Sequence, residues 1–307
     1  MSRIVITGSS GYLGSHLCRL MEKEKVFALY KNTKPQFGNI EPIQLDLIDG
    51  EELNLLFKDI KPDYVIHLAA VIPSQLINQD DRFVYQLNVE VTKQIASLSH
   101  TYNSFLIFTS TDLVYEEGDD IKENNNFNPL NLYAQTKLEA EKSILKYGKY
   151  FLILRTALMY GFSISSHKSF FDFSFKQLLN GHEVKAFYDQ FRNPLFVEDA
   201  AKYIQKFTQI KLPDYDIMNF CGFEKLSRYE MIFKMAEIFE LDLNLIQKES
   251  CENFKSYKMA KNLGLNFDKM KKLNLVPETF EANLKYLKSN FDFYKQFIEN
   301  DKEQKHE

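Results

Sequence analysis

The chain has 307 residues, 45% of them hydrophobic and 14% aromatic, which supplies buried faces for a large core and excludes intrinsic disorder. Lys and Arg total 38 against 42 Asp and Glu, a formal charge of -4, so neither a nucleic-acid footprint nor a basic membrane-binding patch is expected. No apolar run approaches the roughly 18 residues of a membrane helix. Met1-Ser2-Arg3 leads into a strand-like stretch without a signal-peptide apolar region, so a cytoplasmic protein is expected. Cys18, Cys221 and Cys251 are far apart and lie in no Cys-x-x-Cys pattern, which predicts small buried thiols and neither a disulfide framework nor a zinc site.

In chain order, Ile4-Val5-Ile6 predicts a first strand and Leu13, Leu17, Leu20 and Met21 the inner face of a first helix. Val26 to Tyr30 and Pro42 to Leu45 read as the next strands. Asp49 and Glu52 then open a helix with Leu53, Leu56, Phe57 and Ile60 inward. A fourth strand runs from Tyr64 to Leu68, followed by one helix carrying Val84, Leu87, Val91, Ile95 and Leu98. The strand Phe105 to Phe108, a helix near 131–147 and the strand Phe151 to Leu154 come next. Near-continuously apolar strands between amphipathic helices predict a doubly wound parallel sheet covered on both faces.

After Arg155 the rhythm gives way to aromatic-rich segments at Ser169 to Phe175 and Glu183 to Tyr188, with helices near 197–209 and 227–239. A capping box at Ser227 to Glu230 precedes the latter. One final helix from about Glu278 carries Phe280, Leu284, Leu287 and Phe291 on a stripe, and a charged tail follows Glu299. The expected division is a first domain over 1–156, with 196–222 returning to it, and a smaller mixed α/β substrate-binding lobe from 157–195 and 223–298. Residues 299–307 form the tail.

Gly8-Ser9-Ser10-Gly11-Tyr12-Leu13-Gly14 stands directly after the first strand and opens the first helix. Glycines there let the backbone turn tightly and approach a pyrophosphate, whose charge meets the N–H groups of the helix N-terminus. Spacing alone is a weak signal, and a merely structural turn is the alternative; the flanking strand and helix favour a Rossmann-type dinucleotide site. No acidic residue ends the second strand. Lys31 and Lys34 there would meet a 2′-phosphate, which makes NADPH the preferred cofactor over NADH unless both lysines are simply solvated. Asp46, with Leu47 beside it, is a candidate for the adenine edge or for a structural turn.

Tyr-x-x-x-Lys occurs at Tyr30/Lys34, Tyr133/Lys137 and Tyr257/Lys261, so only context selects among them. Tyr133/Lys137 starts a predicted helix, where i and i+4 share a face, and follows the strand that leads to Ser110-Thr111-Asp112. Ligands bind at the carboxyl edge of such sheets. An ammonium beside a phenol favours phenolate and makes the Tyr a usable acid or base, while the Thr111 hydroxyl reaches the reacting oxygen.

These residues resemble the extended short-chain dehydrogenase/reductase family, and most closely its dTDP-4-dehydrorhamnose reductase branch. The resemblance rests on Thr7-Gly8-x-x-Gly11-x-x-Gly14, His67-Leu68-Ala69-Ala70, Asn88, Ser110 to Tyr115, Tyr133 to Lys137, Leu154-Arg155-Thr156 and Tyr160-Gly161. Looser matches follow at Asp189-Gln190, Pro194, Val197 to Ala200 and Leu226 to Glu230. The resemblance implies that Tyr133 protonates a sugar keto oxygen as nicotinamide hydride adds to its carbon. It further implies that Lys137 holds the nicotinamide ribose and tunes Tyr133, that Thr111 orients the carbonyl, and that Leu68, Ala69 and Ala70 line the cofactor cleft.

Related dehydratases carry Asp-Glu after this Thr and related epimerase/reductases a cysteine two residues on, whereas this chain has Asp112-Leu113. Leucine moves no proton, so a plain reductase of a nucleotide-linked 4-keto-6-deoxy sugar, serving surface polysaccharide synthesis, is the leading expectation. Arg192 and Asp112 are the candidate substrate contacts. Arg192 would clamp a diphosphate or form a surface ion pair. His67 and His167 read as structural, and no metal is expected. A nucleotide-sugar epimerase with retained NAD is an alternative. A non-catalytic cofactor-binding subunit is another, because the branch resembles the regulatory β subunit of methionine adenosyltransferase. A homodimer is possible on sequence grounds.

Overall fold

The computed structural model describes residues 2–21, 24–35, 37, 40–254 and 258–299. Tyr257 and the tail beyond 299 lie outside them. Seven strands form one parallel sheet: β1 (Arg3–Thr7), β2 (Lys25–Tyr30), β3 (Glu41–Gln44), β4 (Tyr64–His67), β5 (Phe105–Thr111), β6 (Phe151–Thr156) and β7 (Tyr215–Phe220). Their order is β7-β6-β5-β4-β1-β2-β3. The order reverses beside β1, which opens a crevice between β1 and β4 at their carboxyl ends.

Alternation along each strand sorts side chains onto the two faces of the sheet. Ile4, Ile6, Val26, Ala28, Ile66, Ile107 and Leu154 pack with α1 (Tyr12–Leu20), α7 (Val197–Phe207) and Met270 of the short α9 (Asp268–Lys272). Their neighbours Val5, Phe27, Leu29, Val65, Leu106, Phe108 and Ile153 pack on the other face. There they meet α2 (Gly50–Ile60), α4 (Val91–Thr101) and α5 (Leu132–Tyr147). Burial on both faces explains why these strands read as unbroken apolar runs.

A separate aromatic core holds α6 (Phe170–Leu179), α8 (Arg228–Phe239), α10 (Phe280–Ser289) and α11 (Phe291–Glu299) together. Phe162 sits at its centre, with ring centroids 4.8 Å from Phe175 and 5.3 Å from Phe171. Short strands Val184–Phe187 and Ile246–Glu249 pair beside it. The capping box expected at Ser227 is present: Ser227 Oγ accepts from Glu230 N–H and Glu230 Oε2 from Ser227 N–H.

Four elements differ from the sequence expectation. The single helix expected around Val84 to Leu98 is α3 (Asp81–Tyr85), a π turn over Gln86–Glu90, and α4. Within this break the Thr92 hydroxyl bonds the Asn88 carbonyl four residues back, a local competitor for helix bonding. The expected final helix is divided into α10 and α11 at Asn290, whose Nδ2 and backbone N–H both donate to the Tyr286 carbonyl. Strands β5 and β6 also outrun their apolar segments, because Ser110 pairs with Arg155 and Thr111 with Thr156 in register.

Candidate active site

The glycine turn fits a pyrophosphate. Gly8 has φ of 67°, and a Cβ there would stand 2.8 Å from Ala69 N; a Cβ on Gly14 would lie 2.1 Å from the Gly8 carbonyl oxygen. Only glycine permits that approach. Gly11 is the N-cap of α1, with no side chain capping it and no acidic residue in the first turn, so the helix presents its N–H groups to an anion. Ser10 lies in this turn and Leu13 is buried beneath it. The Tyr12 hydroxyl donates to the Gly161 carbonyl at 2.8 Å, which ties the turn to the start of the aromatic lobe rather than offering the phenol to a ligand.

The opposite wall of the crevice is Leu68-Ala69-Ala70, each half-buried. Leu68 N–H and Ala69 N–H both reach Thr7 Oγ1 at 3.2 Å, so Thr7 donates its own proton to His67 Nδ1, 2.7 Å away. His67 Nε2–H then faces Thr92 Oγ1 at 2.9 Å. Burial, aided by the charge of Lys137, holds His67 neutral with its pKa lowered to about 3. This histidine fastens the cleft wall and is no ligand.

Past the end of β2, Lys31 Nζ pairs with Asp46 Oδ2 at 2.7 Å, both side chains about half exposed. Two residues assigned separately to the cofactor thus meet each other. Lys34 is exposed beside them, and Leu47 is buried.

The catalytic candidates converge on the carboxyl edge of β5. Thr111 is its last residue, and Asn131 Oδ1 caps α5 by accepting from Ala134 N–H, which sets Tyr133 and Lys137 on the first turns of that helix. Thr111, Asp112 and Tyr133 cluster there: Thr111 and Asp112 both act electrostatically on the phenol, and Thr111 Oγ1 donates to Asp112 Oδ1 at 3.3 Å. Burial raises the pKa of Tyr133, the Asp112 carboxylate raises it further, and Thr111 partly offsets both. The phenol is therefore held protonated. The expectation that Lys137 draws Tyr133 toward phenolate is not met in this arrangement, because burial and Asp112 dominate. Lys137 is 2% exposed, its Nζ is 4.0 Å from the centre of the Phe108 ring, and burial lowers its pKa to about 7 against an upward pull from Glu141.

Asp112 is buried, and burial raises its pKa despite Arg192. Arg192 Nε stands 3.5 Å from Asp112 Oδ2, while its other nitrogens donate to the carbonyls of Phe191 and Ala260 at 2.6 and 2.7 Å. The surface ion pair considered for Arg192 is thus corrected to a buried one; polar backbone around the guanidinium makes burial tolerable. Asp112 Oδ2 has no hydrogen-bond partner among the described residues. Arg228 adds its charge to the same carboxyl and donates to Gln190 Oε1 at 2.7 Å.

Three polar residues of this region received no role from the sequence: Ser110, Glu141 and Arg155. The sole signal for Glu141 is its i+4 spacing from Lys137, which any surface helix also shows. Of the other copies of the Tyr-x-x-x-Lys pattern, Tyr257 lies outside the described residues, and the described members stand elsewhere. Tyr30 ends β2, and Lys261 pairs with Glu252 at the surface.

Comparison with known proteins gives a family match across the chain: the model for the RmlD substrate binding domain aligns with residues 2–292. A methionine adenosyltransferase 2 subunit beta from Xenopus tropicalis is 28% identical over 288 residues, covering 90% of this chain and 84% of that protein. A structure of a hypothetical dTDP-4-dehydrorhamnose reductase from Sulfolobus tokodaii is 26% identical with a TM-score of 0.79, covering 91% and 98% of the two chains. The dTDP-4-dehydrorhamnose reductase of Bacillus anthracis, solved with NADP, has the same TM-score at 22% identity, covering 94% and 99%, and so supports the fold.

Proposed function

The chain belongs to the RmlD substrate binding domain family, and from that premise we propose that it is an NAD(P)H-dependent reductase of a nucleotide-linked 4-keto-6-deoxy sugar. The observation that carries this reading is that Thr111, a protonated Tyr133 and a buried Lys137 come together at the carboxyl edge of β5, in the same sheet whose first strand leads into the glycine turn of α1.

A nicotinamide dinucleotide bound in the crevice supplies the hydride. The turn from Gly8 to Gly14 would hold its pyrophosphate, and Leu68, Ala69 and Ala70 would line its cleft. Tyr133 donates its proton to the sugar oxygen as the carbonyl is reduced, and Thr111 Oγ1 orients that oxygen. Lys137 would hold the nicotinamide ribose. Asp112 Oδ2 accepts from a sugar hydroxyl, with Arg192 behind it fixing the carboxylate and adding positive charge for the diphosphate. Leu113 lies where a base or thiol would be needed for elimination or epimerisation, which favours reduction alone.

The similarity to methionine adenosyltransferase 2 subunit beta supports a second reading, a dinucleotide-binding subunit of a larger enzyme. Oxidation of NADPH by the purified protein, supplied with enzymatically made dTDP-4-keto-6-deoxyhexose, separates the two. The reductase turns over, and Tyr133→Phe lowers turnover at least 100-fold while leaving cofactor affinity within about twofold. Tight cofactor binding without Tyr133-dependent oxidation favours the subunit.

A further inference from the structure

Behind the catalytic edge lies a buried polar cluster that the proposed reaction does not use. Arg155 of β6 grips Glu141 of α5 with two nitrogens, Nη2 to Oε2 at 2.6 Å and Nε to Oε1 at 3.1 Å, and Ser110 of β5 donates to the same Oε1. Both charged side chains are 2% exposed. Arg155 Nη1 donates to the Tyr115 hydroxyl and the Glu123 carbonyl, each at 2.8 Å, and Tyr115 passes its proton to Asn219 Oδ1 on β7. The carboxylate is thereby held from β5 and β6, and Arg155 is braced in turn, through Tyr115, by β7.

Glu141 is also one helical turn beyond Lys137, the spacing at which a Lys and a Glu normally pair. Here they do not: among the described residues no carboxylate lies within ion-pair distance of Lys137. We infer that Ser110 and Arg155 make Glu141 a positioning residue for Lys137: they keep its negative charge one turn from the ammonium while preventing the carboxylate from closing on it. Lys137 thus retains a nearby counter-charge and an unpaired Nζ. The role rests on the proposed use of Lys137 at the cofactor.

The other groups around Lys137 do not substitute for Glu141. His67 from β4 is neutral, Tyr133 is protonated, Asp112 faces Arg192, and Arg155 is committed to Glu141. The attraction of Glu141 opposes the lowering of Lys137 by burial.

Replacing Glu141 alone would strand a buried guanidinium, so the test uses the double variant Glu141→Gln/Arg155→Met, which removes both charges at similar volume. Two readouts are taken across pH 5 to 9. One is the titration of Lys137 at its ¹³C-labelled Cε, assigned with Lys137→Met; the other is NADPH affinity by fluorescence. The Lys137 midpoint falls by about one pH unit in the double variant, making its charged fraction at pH 7.5 about eightfold smaller, with NADPH affinity falling in step. In Ser110→Ala the loosened carboxylate closes on Lys137 and the midpoint rises. An unchanged midpoint in a folded double variant overturns the role, and so does an unchanged midpoint in Ser110→Ala if the double variant does not fold. If the midpoint shifts but the wild-type protein binds NADPH at no pH, the positioning stands and the functional reading fails.

Discussion

At the residue scale, the arrangement separates the two members of the Tyr-x-x-x-Lys pair by environment. Burial pushes Tyr133 up and Lys137 down, so the phenol carries the proton and the amine sits at the edge of titration near neutrality. The pattern itself does not reveal this, since it occurs three times in the sequence; what selects Tyr133 is Asn131 capping the helix at the end of β5. Glu141 and Arg155 were unreadable for the opposite reason. Charged residues in a sequence look like surface, and only the fold shows that these two are buried against each other. The Lys31–Asp46 pair carries a prediction on cofactor choice. Lys31→Ala/Lys34→Ala weakens NADPH at least tenfold while changing NADH less than threefold, and Asp46→Asn, which releases Lys31, strengthens NADPH several-fold. Titration of each variant with both cofactors checks this, and equal losses for the two would remove the lysines from 2′-phosphate recognition.

At the element scale, β1, β2, β4, β5 and β6 were legible because strands buried on both faces are apolar through their middle, whereas β7, whose apolar run Asp216 and Asn219 interrupt, was not read as a strand. That same rule hid the ends of β5 and β6, where Ser110, Thr111, Arg155 and Thr156 continue the ladder with polar side chains aimed at functional or buried partners. The splits at Gln86–Glu90 and at Asn290 arise from side-chain bonds to helix carbonyls, which periodicity does not encode. The join of β1 to α1 is constrained most tightly. Gly14→Ala places a methyl into the Gly8 carbonyl and costs about 1–3 kcal/mol of stability, with dinucleotide affinity lost by tenfold or more. Calorimetric unfolding together with NADPH titration measures both effects; a stable variant with normal affinity would show that the turn does not need this contact.

At the scale of the whole molecule, the parallel sheet with its helices and the aromatic lobe are joined by contacts such as Tyr12 to Gly161 and by the buried Glu198 of α7, which pairs with Arg19 of α1 and accepts from Tyr294 of α11. No helix among the described residues is long and apolar enough to cross a membrane. The cleft wall imposes a pH limit on the fold. His67 has its pKa lowered to about 3 when folded, whereas an unfolded histidine titrates near 6.5, so the unfolded chain binds the proton first and stability falls as pH drops from about 6.5 toward 3. Near pH 5 this amounts to about 2 kcal/mol. His67→Gln, which keeps a donor and an acceptor between Thr7 and Thr92, loses correspondingly less stability between pH 7 and 5 in urea titrations than the wild type does; identical losses would contradict the assignment. Reduction requires hydride to leave the cofactor and arrive at sugar carbon, and transfer of deuterium from NADPH deuterated at both C4 positions to dTDP-4-keto-6-deoxyhexose, read by mass and NMR of the product, follows that step. One deuterium is expected at C4 of the sugar with stoichiometric singly deuterated NADP⁺, abolished in Tyr133→Phe. Cofactor that binds but returns with its deuterium intact would contradict this reduction.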